Sequence, residues 1–325
     1  MNTPLFGAFV AFALATAIVR ALCSHRLARL VLDVPNDRSL HASPVPRTGG
    51  IGLMLSFAVT ALVFAAGPKA IVIPAILLAI TFLIDDVRGL PVLPRFIAQF
   101  AAAIAFLAAT GPHAMWLLPL LVVGIVWSIN LYNFMDGSNG LSGGMTLFGF
   151  GACAIAAGLV GDFELAMLSA IVCGAAAGFL VWNFDPARIF LGDAGSIPLG
   201  FMAASIGVIG WDRGDWPFWF PALAFAMFIV DSGLTLAKRI VHRENPLQAH
   251  RSHYYQRLIR MGWSHRRLAL CAYALMLATA VSALMLRGGS FTAQLIGLVI
   301  WAIVFAALAL AIDLRWRASP ARQMI

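Results

Sequence analysis

The chain has 325 residues, 61% of them hydrophobic and only 11% charged, with a formal net charge of +8. An average soluble domain carries roughly 25% charged residues, so this composition excludes a water-soluble surface, and the mean hydropathy of +0.89 agrees. The positive charge does not indicate nucleic-acid binding, because the basic residues follow membrane topology rather than a groove. The four cysteines, Cys23, Cys153, Cys173 and Cys271, lack metal-ligand spacing and read as packing residues.

Apolar runs near the ~20 residues needed to cross a bilayer recur from end to end. Breaking them at glycine, proline and charge clusters predicts eleven spans: 4–22, 48–66, 69–84, 94–110, 114–131, 142–160, 164–182, 196–211, 216–238, 267–286 and 291–314. The expected fold is an all-α, polytopic integral membrane helical bundle forming one domain over 1–325. The first run has no preceding Lys or Arg and no cleavage site after it, so it reads as a retained span. The second and third runs are separated only by Gly67-Pro68-Lys69, and a single re-entrant hairpin is the competing reading there. With alternating loops, Lys69, Arg213 and Arg287 fall on one side and the other nineteen of 22 Lys and Arg on the opposite side. The positive-inside rule then puts the N-terminus outside and the C-terminus in the cytoplasm.

Polar chemistry gathers in the inside loops, 23–47, 85–93, 132–141, 183–195 and 239–266. In the first, prolines stiffen the path and Gly49-Gly50 open a helix whose free N–H groups favour anions, so Arg38, His41 and Arg47 suit a diphosphate. The second opens with Asp85-Asp86. Adjacent carboxylates beside hydrocarbon repel, so either a metal lies nearby or one carboxyl keeps its proton. In the third, Asn130, Asn133 and Asp136 share a helix face if the helix persists, an array of hard oxygen donors that suits Mg²⁺. In the fourth, Asp193 lies between glycines just before span eight and is the first choice of metal ligand, while Phe190 serves packing or stacks on a base. The fifth places His250, His253 and Arg257 on one helical face of a basic, lid-like segment. Asp231 is an intramembrane acid with Lys238 as its expected partner.

Taken in order, DVPNDRSLH with PRTGG, DDVRGLP, NLYNFMDGSNGLSGG, NFDPARIFLGDAGS and AHRSHYYQRL resemble the polyprenyl-phosphate N-acetylhexosamine-1-phosphate transferases. That family includes enzymes that initiate O-antigen and teichoic acid lipid carriers and the phospho-N-acetylmuramoyl-pentapeptide transferase. The resemblance implies ten or eleven spans in the bacterial inner membrane and an active site facing the cytoplasm. It implies Mg²⁺, for which Mn²⁺ can substitute, and transfer of a sugar 1-phosphate from a UDP-N-acetylhexosamine to undecaprenyl phosphate with release of UMP. By the same resemblance Asp85 and Asp86 are catalytic acids, and Asp193 is the metal ligand with Asn133 near the same ion. Asp136 and Asn139 belong to the nucleotide site, and Asn183 and Phe190 grip the uracil. His250, Arg251 and His253 stand where relatives have a histidine cluster, but in a different pattern. This pattern looks like the subgroup that uses UDP-N-acetyl-6-deoxyhexosamine donors in O-antigen initiation. A homodimer is compatible with this reading.

The lipid phosphate attacks the sugar-linked phosphorus directly, or an Asp carboxylate attacks first in a double displacement. The competing class is a membrane transporter of a nucleotide-sugar or other anionic solute. It is disfavoured by polar residues lying at span ends and by the lack of a repeat. A CDP-alcohol phosphotransferase is excluded because Ser-Asn-Gly follows Asp136-Gly137.

Overall fold

The structure is a computed structural model, and it describes residues 3–24, 32–33, 44–111, 113–245 and 250–320. Arg38 and His41 lie outside the described residues. In chain order the helices are α1 (Pro4–Leu22), α2 (Gly49–Val63), α3 (Lys69–Arg88), α4 (Val92–Ala109), α5 (Leu118–Met135), α6 (Leu141–Val160) and α7 (Phe163–Asn183). They continue with α8 (Asp193–Asp212), α9 (Trp219–Ala224), α10 (Ala226–Val241), α11 (Tyr254–Arg260), α12 (His265–Leu286) and α13 (Phe291–Ala318). A two-residue antiparallel pair, β1 (Leu32–Asp33) with β2 (Val45–Pro46), precedes α2.

Among the described residues, nine helices are long and apolar enough to cross a membrane, and α2 is a shorter apolar helix of 15 residues. Large apolar side chains such as Leu62, Val63, Leu77, Ile97, Leu120 and Ile303 are more than half exposed. A water-facing surface does not tolerate so much apolar area, whereas a hydrocarbon-facing one requires it. The chain is therefore a multi-pass membrane protein. Helices α7 and α8 form its centre, while none of the most apolar window of α13 is buried. α1 lies backbone to backbone on α7, where a Cβ on Gly174 would come within 2.1 Å of the Ala8 carbonyl oxygen and one on Gly178 within 2.5 Å of that of Phe12.

Two expected elements differ. The continuous span over 216–238 is broken at Phe225, which ends α9 and precedes α10. The Phe225 ring turns inward to Phe150 at 5.3 Å and Tyr132 at 6.2 Å, over Gly149, where any Cβ would sit 2.3 Å from that ring. Aromatic packing thus wins over helix continuity. The third span does not stop at residue 84: α3 runs through Arg88 and is closed by Gly89 at φ +67°, so Asp85 and Asp86 stand on its last turn.

The ends of the helices sort into two groups. The N-termini of α2, α4, α6, α8 and α12 and the C-termini of α3, α5, α7 and α10 meet through the contacts described below. The opposite end carries Arg213 paired with Asp162 at 2.6 Å and Glu164 at 2.9 Å, and Arg287 donating to the Asp215 carbonyl at 2.9 Å. Every polar cluster considered next belongs to the first end.

Candidate functional site

The site begins where α2 and α8 start side by side. Gly49 and Gly50 donate their N–H groups to the carbonyls of Phe190 at 2.8 Å and Leu191 at 2.7 Å, and Phe190 donates to Pro46 at 2.7 Å. These amides were expected to face an anion. They instead bind the fourth loop to the first, because glycine on both sides lets two backbones touch. Gly192 at φ +75° then turns the chain so that Asp193 opens α8.

Three carboxylates and two guanidinium groups converge there. Arg47 reaches Asp193 Oδ1 at 2.5 Å and Asp86 Oδ1 at 3.6 Å. Arg95 bridges Asp193 Oδ2 at 2.9 Å and Asp85 Oδ2 at 3.0 Å. Asn133 donates to Asp193 Oδ1 at 2.8 Å and to the Ser196 hydroxyl at 3.1 Å. Asp86 accepts from the N–H groups of Asp193 at 3.3 Å and Ala194 at 2.9 Å, so it caps α8, whose first amides have no partner within the helix. Asp85 accepts from the Leu90 N–H at 2.6 Å. Two cations against three anions leave the cluster one charge short of neutrality, which compensates part of the cost of burying Asp85 and Asp193.

Arg95 was missed from sequence. It is a basic residue at the start of a span, and the topological rule absorbed it. Its place at the start of the span that follows the Asp85-Asp86 loop was the available signal.

The expected face of three donors divides. Asn130 turns away to Gln99 at 2.7 Å. α5 ends at Met135, so Asp136 leaves the helical path with ψ 52°. Enclosure pushes the Asp136 carboxyl up to about 7, with Arg47 acting to lower it and Asp193 and Asp86 to raise it. Asn139 donates to Asp185 at 2.8 Å. The buried amide of Asn183 accepts from the Gly140 N–H at 2.9 Å and donates to the Ile189 carbonyl at 2.8 Å. Asn183 therefore joins the third and fourth loops through both ends of its amide. Asn183→Ala orphans both groups, each at about 1–3 kcal/mol. A clear drop in melting temperature in detergent is expected, and an unchanged one would count against this role.

The fifth loop folds over this floor differently from expectation. α11 starts at Tyr254 with His253 as its N-cap, so His250 lies before the helix and not on a face shared with Arg257. Arg257 pairs with Asp313 on α13 at 2.9 Å. Lys238 pairs with Asp313 as well and donates to the Tyr254 hydroxyl at 2.5 Å, so the expected Asp231 to Lys238 pair does not form. Asp231 binds His253 instead, at 3.2 Å. Tyr255 donates to the Phe134 carbonyl at 3.1 Å, Tyr273 to that of Gly140 at 2.7 Å, and the Ser138 hydroxyl meets His265 Nδ1 at 2.8 Å. The third loop is thus clamped by α11 and α12. Arg251 is half-buried beside His250. Behind α11 lies an apolar cavity of about 580 Å³, lined by Met227, Leu258, Leu275, Phe305 and Ile312, with Asp231 and Tyr254 also on its wall.

Burial, then the adjoining His253 ring and the charges of Arg239 and Arg257, lowers His250 to about 4. Its ordinary value is 6.5, so below that pH the unfolded chain takes up the proton more readily than the folded one. Folding stability therefore falls as pH drops from about 6.5 towards 4. The melting temperature of the wild type should decline more over this window than that of His250→Gln, and parallel curves would refute the assignment.

Among the described residues no three His, Cys, Asp or Glu side chains converge as a closed metal cage. The donor chemistry still fits Mg²⁺, which takes one or two carboxylates and completes its shell with water and substrate phosphate oxygens. Asp193 and Asp86, bridged by Arg47, are the hard-oxygen residues of that kind.

Fold and site together define a multi-pass membrane protein with a carboxylate and guanidinium centre at one end of its bundle. Residues 68–211 match the model of glycosyl transferase family 4. The matched stretch contains Asp85, Asp86, Arg95, Asn133, Asp136, Asn139, Asn183, Phe190 and Asp193. The chain is 28% identical over 281 residues to the probable undecaprenyl-phosphate N-acetylglucosaminyl 1-phosphate transferase of Bacillus subtilis, covering 80% of this chain and 78% of that protein. It is 29% identical over 288 residues to the decaprenyl-phosphate N-acetylglucosaminephosphotransferase of Mycolicibacterium smegmatis, 74% of this chain and 71% of the relative. With the phospho-N-acetylmuramoyl-pentapeptide-transferase of Halalkalibacterium halodurans it shares 32% identity over 199 residues, 51% of this chain and 61% of the relative.

Proposed function

We propose that the chain transfers an N-acetylated hexosamine 1-phosphate from a UDP-sugar to undecaprenyl phosphate, releasing UMP, at the cytoplasmic face of a bacterial inner membrane. The observation that carries this reading is the meeting of Asp85, Asp86 and Asp193 with Arg47 and Arg95 at one end of the bundle, within a chain whose relatives are polyprenyl-phosphate sugar phosphotransferases by name.

The reaction brings a diphosphate and a phosphate monoester together, and catalysis of phosphoryl transfer is mostly positioning and charge stabilisation. Mg²⁺ bound at Asp193, with Asp86 and Asn133 nearby, would neutralise phosphate oxygens. Arg47 and Arg95, already at the carboxylates, supply guanidinium donors matched to phosphate. An oxygen of the lipid phosphate attacks the sugar-linked phosphorus, and the bond to the UMP oxygen breaks. A phosphate monoester has a second pKa near 6 and is largely dianionic at neutral pH, so no strong base is needed. Asp85 and Asp86, tied to backbone amides and arginines, then act by orientation. The nucleotide is assigned to the Asp136 to Gly140 loop with Phe190, and the isoprenoid chain to apolar space such as the cavity behind α11. The pattern His250-Arg-Ser-His253 supports a 6-deoxy amino sugar donor and a role in O-antigen initiation.

Membranes containing the chain, given undecaprenyl phosphate and a panel of UDP-amino sugars, should release UMP and form a polyprenyl diphosphosugar in a Mg²⁺-dependent way. No lipid product with any donor would defeat the reading. Stoichiometric UMP release without lipid would replace direct attack by double displacement.

A further inference from the structure

The proposed reaction makes no use of Asp231, yet this acid is one of the most heavily bonded groups in the molecule. It lies within α10 at 6% exposure. Its Oδ1 accepts from the Tyr254 N–H at 2.9 Å, His253 Nδ1 at 3.2 Å and the Thr235 hydroxyl at 3.3 Å, and its Oδ2 accepts from the Tyr255 N–H at 2.9 Å. Three of these four donors belong to the fifth loop. A carboxylate offers no proton, so its contact with His253 requires a proton on Nδ1, and in the neutral ring Nε2 is then the acceptor.

His253 itself is enclosed. Its side chain is 5% exposed, and its ring lies 6.0 Å from Phe134, 5.9 Å from Tyr255 and 4.9 Å from His250. His250, by contrast, is half-buried and is held by the Ser252 hydroxyl at 2.8 Å. The three groups form a stack in which Asp231 fixes His253, and His253 backs the ring of His250. Phe134, the next residue after Asn133, ties this stack to the carboxylate centre.

We propose that Asp231 is a positioning residue that acts through His253, locking its tautomer and placing His250 as the histidine of the pair presented to the substrate. This rests on the transferase reading for its kinetic consequence, but the contact is testable without turnover.

The full-length chain, labelled with ¹⁵N-histidine in lipid nanodiscs, should show, among the signals of its seven histidines, an Nδ1-protonated imidazole resonance that disappears in His253→Gln. In Asp231→Asn that resonance should move to the Nε2-protonated form or to a mixture. The turnover number should fall about 10- to 100-fold, as when the partner that orients a ligating histidine is lost, while KM for the UDP-sugar changes less than about threefold. If Asp231 acts through His253, adding Asp231→Asn to His253→Gln should lower the rate by less than about twofold further. A wild-type His253 without a proton on Nδ1 overturns the proposal even if the variant fails to fold. So does an Asp231→Asn variant with unchanged tautomer, or kinetic losses that multiply fully in the double variant. Absence of sugar transfer with every donor would defeat the transferase reading and leave the resonance test standing.

Discussion

Asp193→Asn is expected to lower sugar-phosphate transfer by at least about 10²- to 10³-fold, the scale seen when one preorganised charge-stabilising group is lost, while the protein stays folded. Asp193 is where the two arginines and Asn133 meet, at 2.5, 2.9 and 2.8 Å. An amide of the same shape loses the charge, presents an NH₂ towards cationic donors, and is a poor Mg²⁺ ligand. The start of α8 does not depend on this carboxylate, because its first amides are capped by Asp86. Arg95 also keeps Asp85 as a partner at 3.0 Å. Initial rates of UMP release and a melting curve in the same detergent separate the two effects. A near-normal rate would remove Asp193 from the centre of the site.

Gly50→Ala should have the opposite character, losing the fold around the site rather than its chemistry. The added Cβ would lie 2.4 Å from the Gly195 nitrogen, 2.6 Å from the Leu191 carbonyl oxygen and 2.7 Å from the Gly195 Cα, all of them backbone atoms. No side chain is available to yield, so α2 must move off α8, taking Arg47 away from Asp193. The cost is expected at about 3 kcal/mol or more, the upper range for overpacking. It should be visible as a large fall in melting temperature and in monodisperse yield. Gly124→Ala on α5 is the matched control, since nothing lies within 4 Å of its would-be Cβ. Equal stability of the two variants would refute the close approach of α2 and α8.

Much of this architecture was legible in the sequence because membrane insertion imposes strong, local rules. Ten of the eleven expected spans each fall largely on one helix, the exception being 216–238, and the described parts of the polar loops assigned to one side do meet at one end. What was not legible is which neighbour a residue chooses. Hydropathy and spacing say which face a side chain occupies, but the partner is set by helices far away in sequence. Arg95 looked like topological charge until α8 brought Asp193 to it. Lys238 looked like the counterion of Asp231, seven residues away, until α13 brought Asp313. Gly49 and Gly50 looked like an anion cradle, yet their amides close on residues 190 and 191. Asn183 resembles a nucleotide contact, and its amide is occupied by two loop backbones. In each case the local pattern identified a group that needed a partner, and the tertiary fold supplied a different one.

The backbone-to-backbone packing of α1 on α7 also has a consequence for biogenesis. About 140 residues separate the two helices, so at roughly 5–20 residues per second of synthesis α1 waits on the order of ten to thirty seconds before its partner is made. During that interval its close-packing face, including Gly7 and Ala8, is covered only by lipid or by insertion machinery. A nascent chain arrested before α7 would display this unmatched face, giving membrane quality control a marker that the finished protein conceals.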